Sequence, residues 1–182
     1  MKKILLSILL TVLFFCAAAP AYEDFSVNVP SNWTLTGNEK SKKLYNDGNE
    51  HYMWKGPVNS VFGPGFAALL ITATKKDSLG PDIRTLKDFS EYLLKERLPQ
   101  RAAVLQNIRI EKNGREAFEF TIRYKSLLGY GSYGAPSSFR KVSWLVIEQN
   151  GRYFDIRYTA EEADFDKYLP VYEEAKNSFR AK

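Results

Sequence analysis

Two pentapeptides, Glu111-Lys112-Asn113-Gly114-Arg115 and Glu148-Gln149-Asn150-Gly151-Arg152, each stand between two long runs rich in apolar residues. Reading them decides the fold. Asn-Gly is the strongest short hairpin signal, because both residues tolerate the positive φ that tight reversals need. The first pentapeptide joins strands over Val104–Glu111 and Arg115–Lys125; the second joins Phe139–Glu148 and Arg152–Thr159. Two registers are open. A two-residue turn would set Phe118 opposite Arg109. A three-residue loop closed by a glycine bulge would pair Glu111 with Arg115 and Glu148 with Arg152, and set Ile108 opposite Phe118 and Val146 opposite Phe154. Matching apolar partners selects the bulge, because a one-residue slip exchanges the faces of a strand.

Working outward, Phe66–Thr74 is apolar at successive positions and reads as a central strand covered on both faces. Phe25-Ser26-Val27-Asn28-Val29 alternates as a half-buried strand stopped by Pro30, and Trp33-Thr34-Leu35 continues it beyond a turn. Lys42–Tyr45 and His51–Lys55 flank Asn46-Asp47-Gly48-Asn49 and read as a small hairpin. Leu86, Phe89, Leu93 and Leu98 recur near helical spacing, with Thr85 as N-cap, Asp88 in the capping-box position and Pro99 beyond. A closing helix runs from Asp164 to about Ser178, with Phe165, Tyr168, Leu169, Tyr172, Ala175 and Phe179 on one stripe and Pro170 inside it. Strands in local series with helices between and after them predict an α+β fold around a mainly antiparallel sheet.

Apolar residues make up 45% of the 182 and charged residues 26%, a balance that supports one packed domain and excludes a disordered chain. Lys2 and Lys3, then a largely apolar run from Ile4 to Ala19, then Ala19-Pro20-Ala21, have the form of a cleavable secretory signal over residues 1–21. That run is short for the ~20 residues that span a bilayer. Lipidation at Cys16 is disfavoured, because Phe15 precedes it where a small residue is wanted. The domain then occupies residues 22–182, has no cysteine, and reaches the periplasm or the exterior. Cleavage removes two basic residues and no acidic one, so the net charge falls from +5 to +3, too little for a nucleic-acid footprint. No stable membrane span remains.

The stretch Phe25-Ser26-Val27-Asn28-Val29-Pro30-Ser31-Asn32-Trp33 resembles the opening signature of the PsbP/Mog1-like superfamily. The end resembles it too: a Tyr-rich strand over Tyr153–Tyr158, then Phe165, Tyr168-Leu169-Pro170 and Ser178-Phe179. The resemblance implies an α/β/α sandwich and a non-enzymatic accessory or binding domain, here an exported bacterial one. Asn32 stands where members commonly carry Gly, and Asn also tolerates the left-handed turn. Only Tyr22-Glu23-Asp24 precede the first strand, so the arm of photosystem-bound members is not expected. The export signal argues against the small-GTPase partner of the nuclear-import branch.

Little in the chain reads as catalytic chemistry. His51 is the only histidine, no Gly-x-Ser-x-Gly elbow exists, and a surface histidine in a hairpin is the expected state. Glu161, Glu162, Asp164 and Asp166 lack the spacing of a Ca²⁺ loop and read as capping and dipole chemistry, with Asp164 as N-cap. Glu119 and Arg123 on one strand face, and Asp155 and Arg157 on another, read as ion pairs. No cofactor or metal is expected. The unusual segment is Leu127–Pro136, in which glycines alternate with tyrosines. Tyr130 and Tyr133, with Phe62 in the 56–65 loop, are the candidate binding residues, and an envelope protein or a small apolar ligand is the expected partner. The alternative is a periplasmic hydrolase, which would require Glu119, Asp155 or His51 to line one enclosed pocket.

Overall fold

Asn113 and Asn150 both sit at φ 52°, and Gly114 and Gly151 both at φ 74°. Two successive positive φ values define a two-residue type I′ reversal, so both hairpins are tight. In the computed structural model, which describes residues 22, 24–36, 49–58, 66–126 and 138–182, Lys112 pairs with Arg115 and Gln149 with Arg152. This corrects the bulge register. Phe118 does face Arg109, Ile108 faces Glu119, and Val146 faces Asp155. The reason lies in strand position. The strand carrying Arg109 is an outer one, exposed along most of its length, so no apolar partner is required there. Arg109 instead reaches Glu116 at 2.8 Å, and Phe118 packs against the helix above the sheet.

The strands are β1 (Phe25–Ser26), β2 (Thr34–Thr36), β3 (Glu50–Val58), β4 (Phe66–Lys75), β5 (Ala103–Lys112), β6 (Arg115–Ser126), β7 (Ser138–Gln149), β8 (Arg152–Glu161) and β9 (Arg180–Ala181). The helices are α1 (Leu86–Glu96) and α2 (Phe165–Ser178). Seven strands form one antiparallel sheet in the order β2-β3-β4-β8-β7-β6-β5, with β4 and β8 near its middle. The expected central strand is thus β4. The expected strand at 42–45 lies outside the described residues; its predicted partner is β3, which pairs with β2 and β4. The signal segment 1–21 also lies outside them. Among the described residues, no helix is long and apolar enough to cross a membrane.

Alternation along each strand separates two cores. On one face Trp54, Leu69, Ile71, Leu145, Phe154, Ile156 and Tyr158 meet Phe165, Tyr172, Ala175 and Phe179 of α2 and its end. On the other, Phe120, Ile122, Val142, Trp144, Val146 and Tyr153 meet Leu86, Phe89 and Leu93 of α1. The result is the expected α/β/α sandwich.

The helices start differently. Thr85 and Asp88 form the full capping box: the Asp88 amide donates to Thr85 Oγ1 at 3.1 Å, and the Thr85 amide to Asp88 Oδ2 at 2.8 Å. Asp164 holds the expected N-cap position of α2 but makes no side-chain capping bond and already has helical dihedrals, which corrects the expected capping role. Pro170 is exposed and lies beyond the first turn, within a helix that continues to Ser178.

Candidate functional site

Among the described residues, the α1 face of the sheet is covered over part of its width. Beside the C-terminal end of α1, a trough of about 240 Å³ lies over Met53, Leu70, Ile122, Tyr124, Val142 and Trp144, with Arg97 and Arg157 in its wall. The period-2 alternation of β3, β4, β6, β7 and β8 turns these side chains to one face, and Pro99 marks where the chain leaves the helix. Two features distinguish the trough. The Trp144 Nε1–H is buried and has no hydrogen-bond partner among the described residues, a state that costs about 1–3 kcal/mol. The Arg157 guanidinium lies 4.2 Å from the Trp144 ring and donates through Nε to Asp155 Oδ1 at 2.6 Å. Its two terminal nitrogens make no hydrogen bond within the described residues.

A polar pit adjoins the trough and shares Arg97 and Arg157 with it. His51, Thr72 and Asp155 stand in one row across β3, β4 and β8, all turned to the α1 face. His51 was expected at the surface; it is buried, with Nδ1 3.2 Å from Thr72 Oγ1. Its strand is not the edge of a small exposed hairpin but lies against β4, and the imidazole faces α1, whose Phe89, Tyr92 and Leu93 line the same pit. Thr72 stands between His51 and Asp155, whose strands are therefore two spacings, about 10 Å, apart. The pit's free volume is about 20 Å³, room for roughly one water. No substrate fits there as the fold stands.

Glu119 is on the other face. It accepts from Lys176 Nζ at 2.8 Å and from the Tyr172 hydroxyl at 3.3 Å. Burial, with Glu119 beside it, pushes the Tyr172 phenol well above its ordinary value. The sheet separates Glu119 from Asp155, so these carboxylates share no cleft. Arg123 pairs with Glu162 through three short contacts of 2.9–3.1 Å, and that bond holds the Glu162 carboxyl below the usual range. The four residues are ion-paired, but not across strands as expected: Asp155 takes its cation, Arg157, from its own strand, Glu119 takes Lys176 from α2, and Arg123 takes its carboxylate, Glu162, from just beyond β8. Among the described residues, no group of three His, Cys, Asp or Glu side chains is placed to hold a metal.

Phe62, Tyr130 and Tyr133 lie outside the described residues. The strand ends that carry their segments are placed: β3 ends at Val58, β4 starts at Phe66, β6 ends at Ser126 and β7 starts at Ser138. Ser126 pairs with Ser138, and Val58 with Phe66. These ends lie toward the side of the sheet where Tyr124, Val142, Ala68 and Thr159 line the trough. The trough itself was not anticipated. Trp144 in a strand reads as core, and nothing in its local sequence marks an indole without a partner.

No family model matches the chain. No curated protein matches it. Among solved structures, the fold overlays a Pseudomonas aeruginosa protein of unknown function, PA94, with a TM-score of 0.53 at 15% identity, over 81% of this chain and 95% of that one. It overlays LpqN of Mycobacterium tuberculosis, described as involved in cell envelope biogenesis, at 0.52 and 13% identity, over 87% and 83%. At such identities the likeness is one of fold. The fold is the α+β sandwich around an antiparallel sheet that the sequence led us to expect. Cyanobacterial PsbP from Synechocystis is matched at 0.39 and 12% identity over 84% and 94%, and the Saccharomyces cerevisiae Ran-binding protein Mog1 at 0.47 and 11% over 86% and 89%. Those two overlays are too loose to bear on function.

Proposed function

We propose that the chain is an exported, non-catalytic binding protein of the bacterial envelope, and that its α1-face trough accepts a small apolar group carrying a hydrogen-bond acceptor. The observation that carries this reading is an apolar trough walled by the Arg157 guanidinium, whose terminal nitrogens have no partner among the described residues, over the buried Trp144 indole, whose N–H has none among them either. An acceptor brought by a ligand would meet the guanidinium directly, and the indole N–H once the side chains over it shift. Ligand sites are commonly 300–1,000 Å³, so a trough of about 240 Å³ suits a short chain or a single ring. Tyr130, Tyr133 and Phe62, on segments joined to the sheet near this side, are its proposed rim. The hydrolase reading is disfavoured by the water-sized pit around His51 and by Glu119 facing away.

Protein recovered from an envelope fraction should begin at Tyr22 by intact mass. In thermal melts of that material, octanoate should raise the midpoint and 1-octanol should do so less. Trp144→Phe keeps the ring but loses the N–H, and Leu70→Phe fills the trough; each should reduce the octanoate effect. Tyr130→Ala with Tyr133→Ala should weaken capture with little change in stability. An octanoate response equal in the wild type, Trp144→Phe and Leu70→Phe would sink the trough as the site.

A further inference from the structure

On the opposite face of the sheet, a cleft of about 200 Å³ lies between the Asn113-Gly114 reversal and the C-terminal end of α2. Four cationic side chains converge on it from four elements: Lys112 of β5, Arg115 of β6, Lys176 of α2 and Arg180 of β9. The one carboxylate in the described lining, Glu148, is held by Lys76 at 2.5 Å. Lys176 is neutralised by Glu119 and Glu173. Lys112 donates instead to Asn177 Oδ1 at 2.9 Å, and Arg180 donates to the carbonyls of Asn177 and Phe179 at 2.8 and 2.7 Å. Lys112, Arg115 and Arg180 have no carboxylate partner among the described residues.

The fold does not account for this surplus. The carbonyl end of α2 favours a nearby cation, but that effect is modest and is already served by Arg180. Lys112 directly faces Arg115 across the ladder, and like charges so placed are destabilising. Burial, followed by repulsion from Lys176, also holds the Lys112 ammonium below its ordinary value. An anion seated among these groups would reverse the penalty.

We propose that this cleft binds a phosphate-type oxyanion, carried by a small phosphate ester or by a lipid headgroup. Cations approaching from several elements match a tetrahedral anion with several oxygens better than a planar carboxylate. The guanidinium forks of Arg115 and Arg180 suit paired oxygens, and Lys112 acts as a point charge. Ile147 and Phe179 supply an apolar wall for the carbon portion of the ester.

The test is an amide-shift titration of the full mature chain with inorganic phosphate, at ionic strength held constant with chloride. A parallel sedimentation assay uses phosphatidylglycerol vesicles against phosphatidylcholine vesicles. Shifts should concentrate at Lys112–Arg115 and Arg180. Lys112→Gln with Arg180→Gln should weaken binding by about tenfold or more, as expected for lost charge-assisted bonds. Lys87→Gln with Lys95→Gln, an equal charge change on the exposed side of α1, should not. Saturation by inorganic phosphate assigns a soluble source. Capture on phosphatidylglycerol alone, lost in the first double variant and kept in the second, assigns the headgroup. No response to either probe, equal responses of the two double variants, or reproduction of the shifts by chloride overturns the proposal.

Discussion

Leu69 and Leu70 are neighbours in one strand with opposite fates. Leu69 points to the α2 face, wholly buried between the register positions of Trp54 and Tyr158. Leu70 points to the α1 face, half-buried in the wall of the trough. The α2 face is sealed by aromatic pairs, Phe25 on Phe179 at 5.5 Å and Tyr158 on Phe165 at 5.0 Å among them. Among the described residues the α1 face is covered around Leu86, Phe89 and Leu93, with Phe89 stacked on Tyr153 at 4.4 Å, and is open over the trough. Identical backbone and residue type thus meet two surroundings: one side of β4 is closed in the α2 core, and the other lines the trough.

The widest break in this comparison is the pair of leucine truncations. Leu69→Ala should cost about 3–5 kcal/mol, since a sealed core cannot collapse into the void. Leu70→Ala should cost about 1 kcal/mol, because much of its surface already faces the trough. Urea denaturation at constant m-value measures both; equal losses would mean that the trough is as closed as the core.

Alkaline pH tests the sealed face next. Burial lifts the Tyr158 phenol beyond the ordinary range, with its hydroxyl bonded to the Phe165 carbonyl at 2.8 Å, and Tyr172 is lifted too. A phenol whose folded pKa exceeds its unfolded value of about 10 contributes stability in full below pH 10 and loses it as pH rises toward the folded value. Denaturant midpoints should therefore fall above pH 10, with phenolate absorbance from these two tyrosines appearing only on unfolding. An unchanged profile in the Tyr158→Phe, Tyr172→Phe variant would remove them as the cause.

The smallest contrast is at the helix starts. Thr85→Ala should cost about 1 kcal/mol through its capping box. Asp164→Ala, which makes no cap, should stay within about 0.5 kcal/mol. Thermal melts of the two variants compare them directly.

The strands, both helices and the sandwich were legible because alternation, Asn-Gly and Thr85…Asp88 are local signals. Register at the two Asn-Gly hairpins was not: in the second, β7 and β8 are buried on both faces, so apolar matching does not discriminate, and Val146 faces Asp155. In the first, matching apolar partners assumes that both strands of a hairpin are buried, whereas Val104, Leu105 and Ile108 are exposed on an outer strand. β9 escaped notice because two residues carry no periodicity; its existence depends on β1. The cationic cleft was equally hidden, since Lys112, Arg115, Lys176 and Arg180 meet only through topology. Asp155 was readable as an ion-pair partner, and its burial beside Arg157 was not.

The pairing of β1 with β9 also sets an order in time. Phe25 and Ser26 find their partners in Ala181 and Arg180, and the Lys182 amide donates to the Asp24 carbonyl at 2.9 Å. A chain made from its N-terminus must leave the side of Phe25 that Phe179 covers open, and β1 unpaired, until residues 179–181 arrive. Contacts of such long separation form late and leave apolar surface open to association. Loss of the last few residues would then act as a failure to close the α2 face, and truncated or stalled chains would be clients of chaperones and proteases rather than weakened copies of the protein.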